Sequence, residues 1–574
     1  MSSFNVYMGL DRTIEELGID THEIAVNTTY DFDVQYKDML AGPDGEVATV
    51  FVTAFNVADP DFSPPGTSIV SLTILGSAKP WLELSPSEYV DAKNGLADKA
   101  ITMAEKVIPD LRNCIEEIEV STPLTNIRYT GNIGGTIYGT EQTPLNISTM
   151  RHPNRGPLKG LYFAGAWIRE GGGFEPCIES GLFASEAILE DMEKGGVDAD
   201  TMEEMEEFLS AQGEDCEPMQ EVPLSNYSQT RSLTSRKLSL KVHSILEKTA
   251  TAKTFRMVSA NGELPFFRAG QYINLFVNIG GVLTSRPYTI CSPPGKSYYD
   301  LTVRRMTGGF VSDYLLDQVK TGDLFESTKP AGNFYYEPLR DSTELVFLAG
   351  GCGITPFMSI IRDVVEQDRP YNIHLIYGSR VPEDIIFEKE LEALADAHQN
   401  IKVDFVMSEP PAGWTGKSGF LDENVISSLV ESMEDKTFFI CGPGPMYGLC
   451  EGALKSLGVP ARRIRKEVYG PPADITGEPG WPGVSAEKVV EVIEERSGKK
   501  IKAKAGEPLM IALEREGLVI PAVCRSGECS ACRTKLISGK VFAPARVHLR
   551  WADEKSNYIH PCRSYPVKDL RIRI

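Results

Sequence analysis

Four cysteines in the last part of the sequence have a spacing that suits iron binding. Cys524, Cys529 and Cys532 form a C-x4-C-x2-C pattern, and Cys562 follows after a long gap. Four thiolates at these separations are the ligand set of a plant-type [2Fe-2S] cluster. The intervening residues are small or polar, so the loop is expected to wrap closely around the cluster and aim amides at its sulfurs. The chemistry predicted is the transfer of one electron at a time.

Zinc is the alternative metal for such cysteines, but zinc sites more usually pair two C-x2-C units. The surrounding segment resembles a ferredoxin domain. Residues 488–492 read as a strand and 500–503 as its hairpin partner, and a helix is predicted over 508–516 before the cysteine loop. The resemblance implies a β-grasp ferredoxin domain over 483–574.

Two further groups of residues have the chemistry to feed electrons to a cluster, and the first is Arg286-Pro287-Tyr288-Thr289. It lies in residues 235–340, where short alternating strands and glycine turns indicate a small antiparallel β-barrel. This segment resembles the flavin-binding domain of the ferredoxin-NADP reductase superfamily. The resemblance implies that Arg286 pairs with phosphate and that the Tyr288 ring stacks on the flavin. Thr289 would reach flavin N5 and take a catalytic role there.

A glycine turn within residues 307–315 belongs to the same resemblance. Gly309, Val311 and Ser312 offer backbone amides and a hydroxyl at the start of a predicted helix. Amides at a helix N-terminus bind phosphate groups. Because this turn suits a diphosphate, FAD is expected as the flavin rather than FMN.

The second group lies in residues 341–470, which read as strands alternating with helices. Apolar runs at 345–349, 373–377, 403–406 and 437–440 predict a doubly wound parallel sheet. Such a sheet binds its ligand at the carboxyl ends of its strands. The segment resembles the nucleotide-binding domain of the same superfamily, and the resemblance implies NAD(P)H as the cofactor.

Two loops of this segment are expected to meet the nicotinamide cofactor. By the resemblance, the first cradles the diphosphate and the second lies beside the nicotinamide, where Cys441 would help to shape hydride transfer. Glycines needed only for close packing and a buried Cys441 are the alternatives. Arg380 suits a 2′-phosphate or is an ordinary surface arginine, so NADH and NADPH both stay open. The first loop contains Gly350, Gly351, Gly353, Thr355 and Pro356, and the second contains Cys441, Gly442 and Pro443.

Residues 1–193 resemble the C-terminal half of a phytoene desaturase-like protein within the flavin amine oxidase group. The resemblance depends on Gly160-Leu161-Tyr162-Phe163-Ala164-Gly165-Ala166-Trp167 and on Cys177-Ile178-Glu179-Ser180-Gly181. The first motif predicts a short buried strand at 161–164, and a helix is predicted over about 176–190. One face of that helix carries Ile178, Leu182, Ser185 and Leu189.

This N-terminal region lacks a part that flavoproteins of this group need. They hold the ADP half of FAD on a G-x-G-x-x-G turn, and no such turn occurs in residues 1–193. We expect either that another polypeptide supplies the missing half or that the region serves in docking. The chain alone would then carry about one FAD.

Composition limits the class of protein. A length of 574 residues predicts about three to five domains, with an acidic linker at 194–234 and a Pro- and Gly-rich linker at 471–482. The net charge of -22 argues against nucleic acid or an anionic membrane as the main partner. Of eleven cysteines, four are assigned to iron and seven are scattered, which suits the cytoplasm. No apolar run is long enough to span a bilayer.

The predicted fold is therefore multidomain, α+β and α/β, in an order that resembles reductases of the phthalate dioxygenase reductase type. The resemblance implies hydride transfer from NAD(P)H to FAD and then single-electron transfer to the [2Fe-2S] cluster. Three destinations stay open for these electrons. The first is a second FAD site, completed by a Rossmann-domain partner and acting on an apolar unsaturated substrate. The second is a separate oxygenase or soluble carrier. In the third, residues 1–193 are purely structural and take no part in electron transfer.

Overall fold

The structure is a computed structural model that describes residues 1–139, 146, 150–193, 237–306, 308–472, 474–544, 549 and 551–574. The chain forms two compact units, Met1–Thr234 and Ser235–Ile574. The predicted linker at 194–234 lies outside the described residues, as do Cys216 and Thr307. Among the described residues, no helix is both long and apolar enough to cross a lipid bilayer.

The first unit contains a five-stranded antiparallel sheet. Its first strand, Ser2–Leu10, pairs on both sides, with Ser68–Gly76 and with Ile115–Ser121. Alternate residues of that strand are buried, as expected for a strand with one face on the core. In spatial order the strands are Glu23–Asn27, Thr49–Ala54, Ser68–Gly76, Ser2–Leu10 and Ile115–Ser121.

One helix packs on four strands of this sheet. This helix, Pro86–Ala104, begins with a capping box in which Ser85 and Glu88 exchange side-chain and backbone hydrogen bonds. It buries a stripe of apolar residues that includes Leu96 and Ile101. The other helices are Phe32–Ala41, Phe55–Ala58, Lys79–Leu82, Leu111–Cys114, Pro123–Thr130 and Phe174–Glu193.

The prediction of a buried strand at 161–164 is wrong. Tyr162 makes only an isolated bridge with Arg155, and Leu161 is 37% exposed. A buried strand of this kind needs ladder partners on both edges. In the part of the chain that the structure describes, the Arg155 bridge is the one pairing these residues make.

The helix Phe174–Glu193 is longer than the predicted helix at about 176–190. Its buried residues are Ser180, Ala184 and Ala187, whereas the predicted apolar face is exposed. We call that exposed set the apolar face; it consists of Phe174, Ile178, Leu182, Leu189 and Met192.

The second unit begins with the predicted antiparallel barrel. Its six strands form one sheet, and an isolated bridge between Ile290 and Leu301 links the two edge strands, which closes the sheet. The helix Phe310–Asp317 packs on this core. In spatial order the strands are Tyr298–Arg304, Ala252–Ser259, Leu238–Thr249, Leu324–Ser327, Tyr272–Ile279 and Val282–Thr289.

A six-stranded parallel sheet follows, also as predicted. The chain adds strands in one direction from Glu344–Gly350 and then crosses to add Lys436–Cys441 on the other side. The point between those two strands is the topological switch point, where sheets of this type bind ligands. The remaining strands are Asn372–Ser379, Ile401–Met407, Lys417–Ser418 and Ile464–Lys466, and the helices are Ile354–Glu366, Glu388–Ala397, Glu423–Leu429 and Gly444–Ser456.

The last domain has the mixed sheet and crossing helix expected of a ferredoxin-like domain. Leu570–Arg573 pairs parallel to Val489–Glu494 and antiparallel to Thr534–Ser538. The other strands are Lys500–Lys504, Val541–Phe542, Tyr558–Ile559 and Tyr565–Pro566, and the helices are Leu509–Arg515 and Trp551–Lys555.

Candidate functional site

The four predicted cluster cysteines come together as two pairs. The sulfurs of Cys532 and Cys562 are 3.4 Å apart. The Sγ atom of Cys524 accepts hydrogen bonds of 3.4 Å from the backbone amides of Ser526 and of Cys529. A binuclear iron centre takes two protein ligands on each iron, so this pairing fits the predicted [2Fe-2S] cluster, with amides aimed at sulfur as expected.

Each pair of cysteines shares a hydrogen bond that favours the thiolate in one of its two members. A hydrogen bond from Cys529 lowers the pKa of the Cys524 thiol and raises the pKa of Cys529 itself. A hydrogen bond from Cys562 likewise lowers the pKa of Cys532 and raises the pKa of Cys562. Among the described residues, no three His, Cys, Asp or Glu side chains lie close enough to hold a single metal ion. The arrangement of the four cysteines as two pairs fits two irons better than a mononuclear zinc site, in which four ligands converge on one ion.

The loop that carries three of these cysteines has an unusual backbone. Arg525 and Ser530 adopt φ values of 54° and 55°, the left-handed region that side chains other than glycine seldom occupy. His560, which is buried, hydrogen-bonds the Gly527 carbonyl through Nδ1 at 2.8 Å. This bond ties the loop to the segment that supplies Cys562.

Arg286 lies on the strand Val282–Thr289, where the resemblance places a phosphate ligand. Its Nη1 donates to Thr284 Oγ1 at 2.9 Å and to the Ser285 carbonyl at 2.7 Å. Burial, together with the nearby Arg525, lowers the pKa of Arg286 to about 10. A half-buried guanidinium short of negative charge suits a diphosphate, so the residues fit FAD.

We expect Arg286→Gln to weaken FAD binding by about tenfold, because a charge-assisted hydrogen bond is lost. The measurement is a fluorescence titration of flavin-depleted protein with FAD. Lys237→Gln, which removes an exposed cation of the same domain that pairs with Glu326, is the matched control. Equal affinity in Arg286→Gln and the control would contradict the assignment.

Thr289 begins a chain of hydroxyl and carboxyl groups. Its Oγ1 hydrogen-bonds the hydroxyl of Tyr469, which in turn donates to Glu467 Oε2. When Tyr469 donates to Glu467, Thr289 must donate to Tyr469, because each hydroxyl has a single proton. A lone pair of Thr289 is then free to accept from the flavin edge expected beside it.

Glu467 is buried, and burial raises its pKa to about 8, with Glu528 adding to the effect. Near neutral pH this carboxyl therefore holds a proton that an exposed glutamate would have released. When protonated Glu467 donates to Tyr469, both hydrogen bonds run the other way, and Tyr469 can donate to Thr289 Oγ1. The chain of three side chains thus has the composition of a proton store at the predicted flavin site.

The same shift predicts a pH dependence of stability. Between the ordinary glutamate pKa and about 8, the folded state binds more protons than the unfolded state, so stability falls as pH rises. We expect Glu467→Gln to remove a slope on the order of 1 kcal/mol per pH unit between about pH 5 and about pH 8. Urea unfolding across that range measures it, and an unchanged slope would refute the pKa shift.

The glycine turn leads into the helix Phe310–Asp317. Gly309 is the residue at which the helix begins, and Ser312 Oγ accepts from the Met306 amide at 3.2 Å. Val311 is buried in the barrel core, so only its amide is left for a ligand. A side chain at Gly309 would collide with Ser312.

The two predicted nucleotide loops lie against each other at the switch point. A Cβ on Gly353 would overlap the Cys441 carbonyl oxygen, and a Cβ on Gly350 would lie 2.6 Å from Met446 Sδ and 2.8 Å from Pro443 Cδ. These glycines are therefore needed for close approach of the loops, which holds whether or not a nucleotide is bound.

Of the other predicted residues of the nucleotide loops, Thr355 and Cys441 are buried, Gly442 is half-buried and Pro443 is exposed. Thr355 Oγ1 donates to the Cys352 carbonyl at 3.1 Å, and the Tyr377 hydroxyl donates to the Gly351 carbonyl at 2.7 Å. Pro356 lies in the first turn of Ile354–Glu366. Burial raises the pKa of the Cys441 thiol well above its usual value, so Cys441 stays a thiol near neutral pH.

Sequence reasoning missed four residues, namely Glu467, Tyr469, Glu514 and Arg525. The sequence presents the first two only as the end of the parallel-sheet segment, and Arg525 as a polar residue of the cysteine loop. Glu467 directly follows the strand Ile464–Lys466, and an aromatic residue two positions later is the available signal for this pair. Nothing local marks Glu514, whose partner Thr284 is 230 residues away.

Comparisons with protein families match four segments in the predicted order. Residues 1–189 match the family of flavin containing amine oxidoreductases. An oxidoreductase FAD-binding domain matches 237–336 and an oxidoreductase NAD-binding domain matches 347–451. A 2Fe-2S iron-sulfur cluster binding domain matches 492–567.

Individual proteins match the second unit. The glycine betaine monooxygenase reductase subunit of Chromohalobacter salexigens is 28% identical over 60% of this chain and 97% of its own length. NADH oxidoreductase HCR of Escherichia coli is 30% identical over 58% of this chain and 96% of its own length. The solved structure of phthalate dioxygenase reductase is 24% identical, covers 59% of this chain and 98% of that chain, and has a TM-score of 0.46.

Flavin, when bound, accepts electrons in pairs and releases them singly, and this is the chemistry that links a nicotinamide to an iron-sulfur centre. The three matched domains cover the barrel, the parallel sheet and the cysteine loop described above. Over this second unit the chain belongs to the family of iron-sulfur flavoprotein oxidoreductases, and it transfers electrons from NAD(P)H through FAD to a [2Fe-2S] cluster.

Proposed function

We propose that this protein is the reductase component of an oxygenase system, and that it uses NADH. The observation that carries the proposal is the match to a monooxygenase reductase subunit along 97% of that subunit. NADH is supported by the name of the Escherichia coli relative. Arg380 lies 3.7 Å from Asp384, whose carboxylate would repel a 2′-phosphate.

The test is reconstitution of a glycine betaine monooxygenase with this chain in place of its own reductase. We expect NADH-dependent oxygen uptake that requires glycine betaine, and weaker uptake with NADPH. Cytochrome c, a one-electron acceptor, serves as the control for a working electron path. Reduction of cytochrome c without any transfer to oxygenases would count against the proposal.

The residue roles and domain limits taken from the resemblance are part of this proposal. We assign the cluster to Cys524, Cys529, Cys532 and Cys562, the flavin to Arg286, Tyr288, Thr289, Gly309, Val311 and Ser312, and the nucleotide to Gly350, Gly351, Gly353, Thr355, Pro356, Cys441, Gly442 and Pro443. Thr289 and Cys441 would contact the reacting atoms. We divide the chain at 1–193, 194–234, 235–340, 341–470, 471–482 and 483–574.

A second destination for the electrons is favoured by the N-terminal match to flavin containing amine oxidoreductases. A G-x-G-x-x-G domain of a partner subunit would complete a second FAD site there, acting on an apolar unsaturated substrate. The apolar face supports this reading, since Phe174 is 95% exposed and Ile178 73% exposed, and exposed apolar patches mark interaction sites.

Flavin counting separates the two destinations. The chain alone is expected to bind about one FAD, and addition of a flavin-binding partner with a G-x-G-x-x-G turn should raise the count to about two. Leu182→Glu, in the middle of the apolar face, should prevent that rise, whereas Glu186→Gln on the same helix should not. A count that never rises would leave residues 1–193 as a docking or assembly element.

We also propose a reducing compartment, the cytoplasm. The cysteines that the structure describes outside the cluster set, among them Cys177, Cys291 and Cys450, carry free thiols, and free thiols persist where glutathione and thioredoxin keep them reduced. Cell fractionation tests this location.

A further inference from the structure

A buried ion pair lies beside the cysteine loop. The guanidinium of Arg525 forms a two-pronged pair with the carboxylate of Glu514, with N to O distances of 2.6 and 2.9 Å. The two side chains are 7% and 5% exposed. Arg525 directly follows the cluster ligand Cys524, and Glu514 lies in the helix Leu509–Arg515.

The flavin barrel supplies the remaining partners of this pair. Thr284 Oγ1 donates to Glu514 Oε2 at 2.8 Å, and Arg525 Nη1 donates to Ser285 Oγ at 3.1 Å. Asn274 Nδ2 reaches across as well and donates to the Ala522 carbonyl at 2.6 Å. Three residues from two adjacent barrel strands therefore hold the helix and the cysteine loop.

The same network touches both predicted cofactor sites. Thr284 Oγ1 accepts a hydrogen bond from Arg286, the expected phosphate ligand, while it donates to Glu514. At the other end, Arg525 holds a left-handed backbone conformation next to Cys524. A continuous run of hydrogen bonds thus leads from Arg286 through Thr284, Glu514 and Arg525 to the cluster loop.

The burial of the pair argues that it fixes a geometry. A buried pair adds little net stability over apolar residues, but removal of one partner leaves an uncompensated charge. The neighbouring pair of Arg515, the last residue of the same helix, and Glu507, which precedes the helix, has the same two-pronged form, but its arginine is 45% exposed and bonds Glu507 and the Lys502 carbonyl rather than the barrel. Of these two pairs, only the buried one joins the cluster domain to the flavin barrel.

We propose that Arg525, Glu514 and Thr284 form a clamp that positions the cluster ligands against the flavin strand and so sets the rate of electron passage between the two cofactors. The proposal deepens the reductase function and rests on it. The three are positioning residues, because none is assigned to contact a reacting atom. Electron transfer slows as cofactors move apart. Reduction of the flavin by NADH takes place between the nucleotide domain and the flavin barrel, and it does not need the clamp.

The experiment compares Glu514→Gln, Thr284→Val and the control Arg515→Gln in anaerobic stopped flow with NADH. Flavin bleaching and cluster bleaching are followed separately. We expect the cluster phase to slow by about tenfold or more in Glu514→Gln and by about fivefold in Thr284→Val, with the flavin phase unchanged. Arg515→Gln should match the parent in both phases.

Readouts other than turnover show whether the cause is position. The cluster midpoint potential and the iron content should stay at parent values, while amide hydrogen exchange should rise in 282–289 and around Arg525. If Glu514→Gln loses iron, the clamp is tested by Thr284→Val, because Thr284 lies outside the cluster domain. Parent rates of cluster reduction in an iron-replete Thr284→Val protein would overturn the clamp. Failure of the parent itself to reduce the flavin with NADH would instead overturn the reductase function.

Discussion

Cys562→Ser is expected to lose the cluster and to keep reduction of the flavin by NADH. Cys562 pairs with Cys532 at 3.4 Å and is supplied by a segment far from the cysteine loop. A hydroxyl is a poor ligand for an iron that thiolates bind. One of the two irons would therefore keep only one of its two protein ligands. Iron content and the cluster's contribution to the visible spectrum should fall to background while the flavin bands remain, and electron passage to cytochrome c should stop.

Cys177→Ser is the matched control for this variant. Cys177 is a free, half-buried cysteine of the first unit with no place in the cluster, so its replacement should leave iron and spectra unchanged. Retention of a full [2Fe-2S] spectrum by Cys562→Ser would mean that another residue is the fourth ligand.

Gly353→Ala is expected to impair use of NADH on the order of 100-fold, because a misplacement of about 1 Å at a reacting pair has effects of that size. The added methyl would overlap the backbone carbonyl of Cys441, which cannot move as a flexible side chain would. The two nucleotide loops must separate to make room. Overpacking of this kind also destabilises a domain by about 1–3 kcal/mol.

Gly448→Ala is the control for this effect. Gly448 lies inside the helix Gly444–Ser456, and a Cβ there meets no atom within 4 Å. It should stabilise the domain by about 1 kcal/mol, since alanine favours helix over glycine. Steady-state kinetics with NADH and thermal unfolding together measure both effects. Unaltered kinetics in Gly353→Ala would contradict this prediction, because they would show that the two loops can separate without loss of NADH use.

The nucleotide domain was the part most open to prediction from sequence. Its strands are continuous apolar runs, which is what burial on both faces of a parallel sheet requires, and the strand Glu344–Gly350 contains the predicted run at 345–349. The glycine loops follow directly from the strands that carry them. The cysteine spacing likewise identifies its ligands without any knowledge of the fold.

Contacts between distant segments were not open to prediction. Thr289 and Tyr469 are 180 residues apart, and Ser285 and Arg525 are 240 apart. Periodicity reports which face of an element is apolar, but it does not report what that face meets. For this reason the sequence identifies the apolar side of Phe174–Glu193 but not its exposure, and it predicts a strand at 161–164 without identifying ladder partners for it.

The place of Leu570–Arg573 in its sheet has a consequence for maturation. This strand separates Val489–Glu494 from Thr534–Ser538, so neither can complete its ladder until the far end of the domain has been made. Contacts so distant along the chain are slow to form. We expect iron insertion to be the last step in biogenesis. Iron-starved cells should then accumulate a yellow, flavin-loaded precursor that accepts hydride but cannot pass the electrons on.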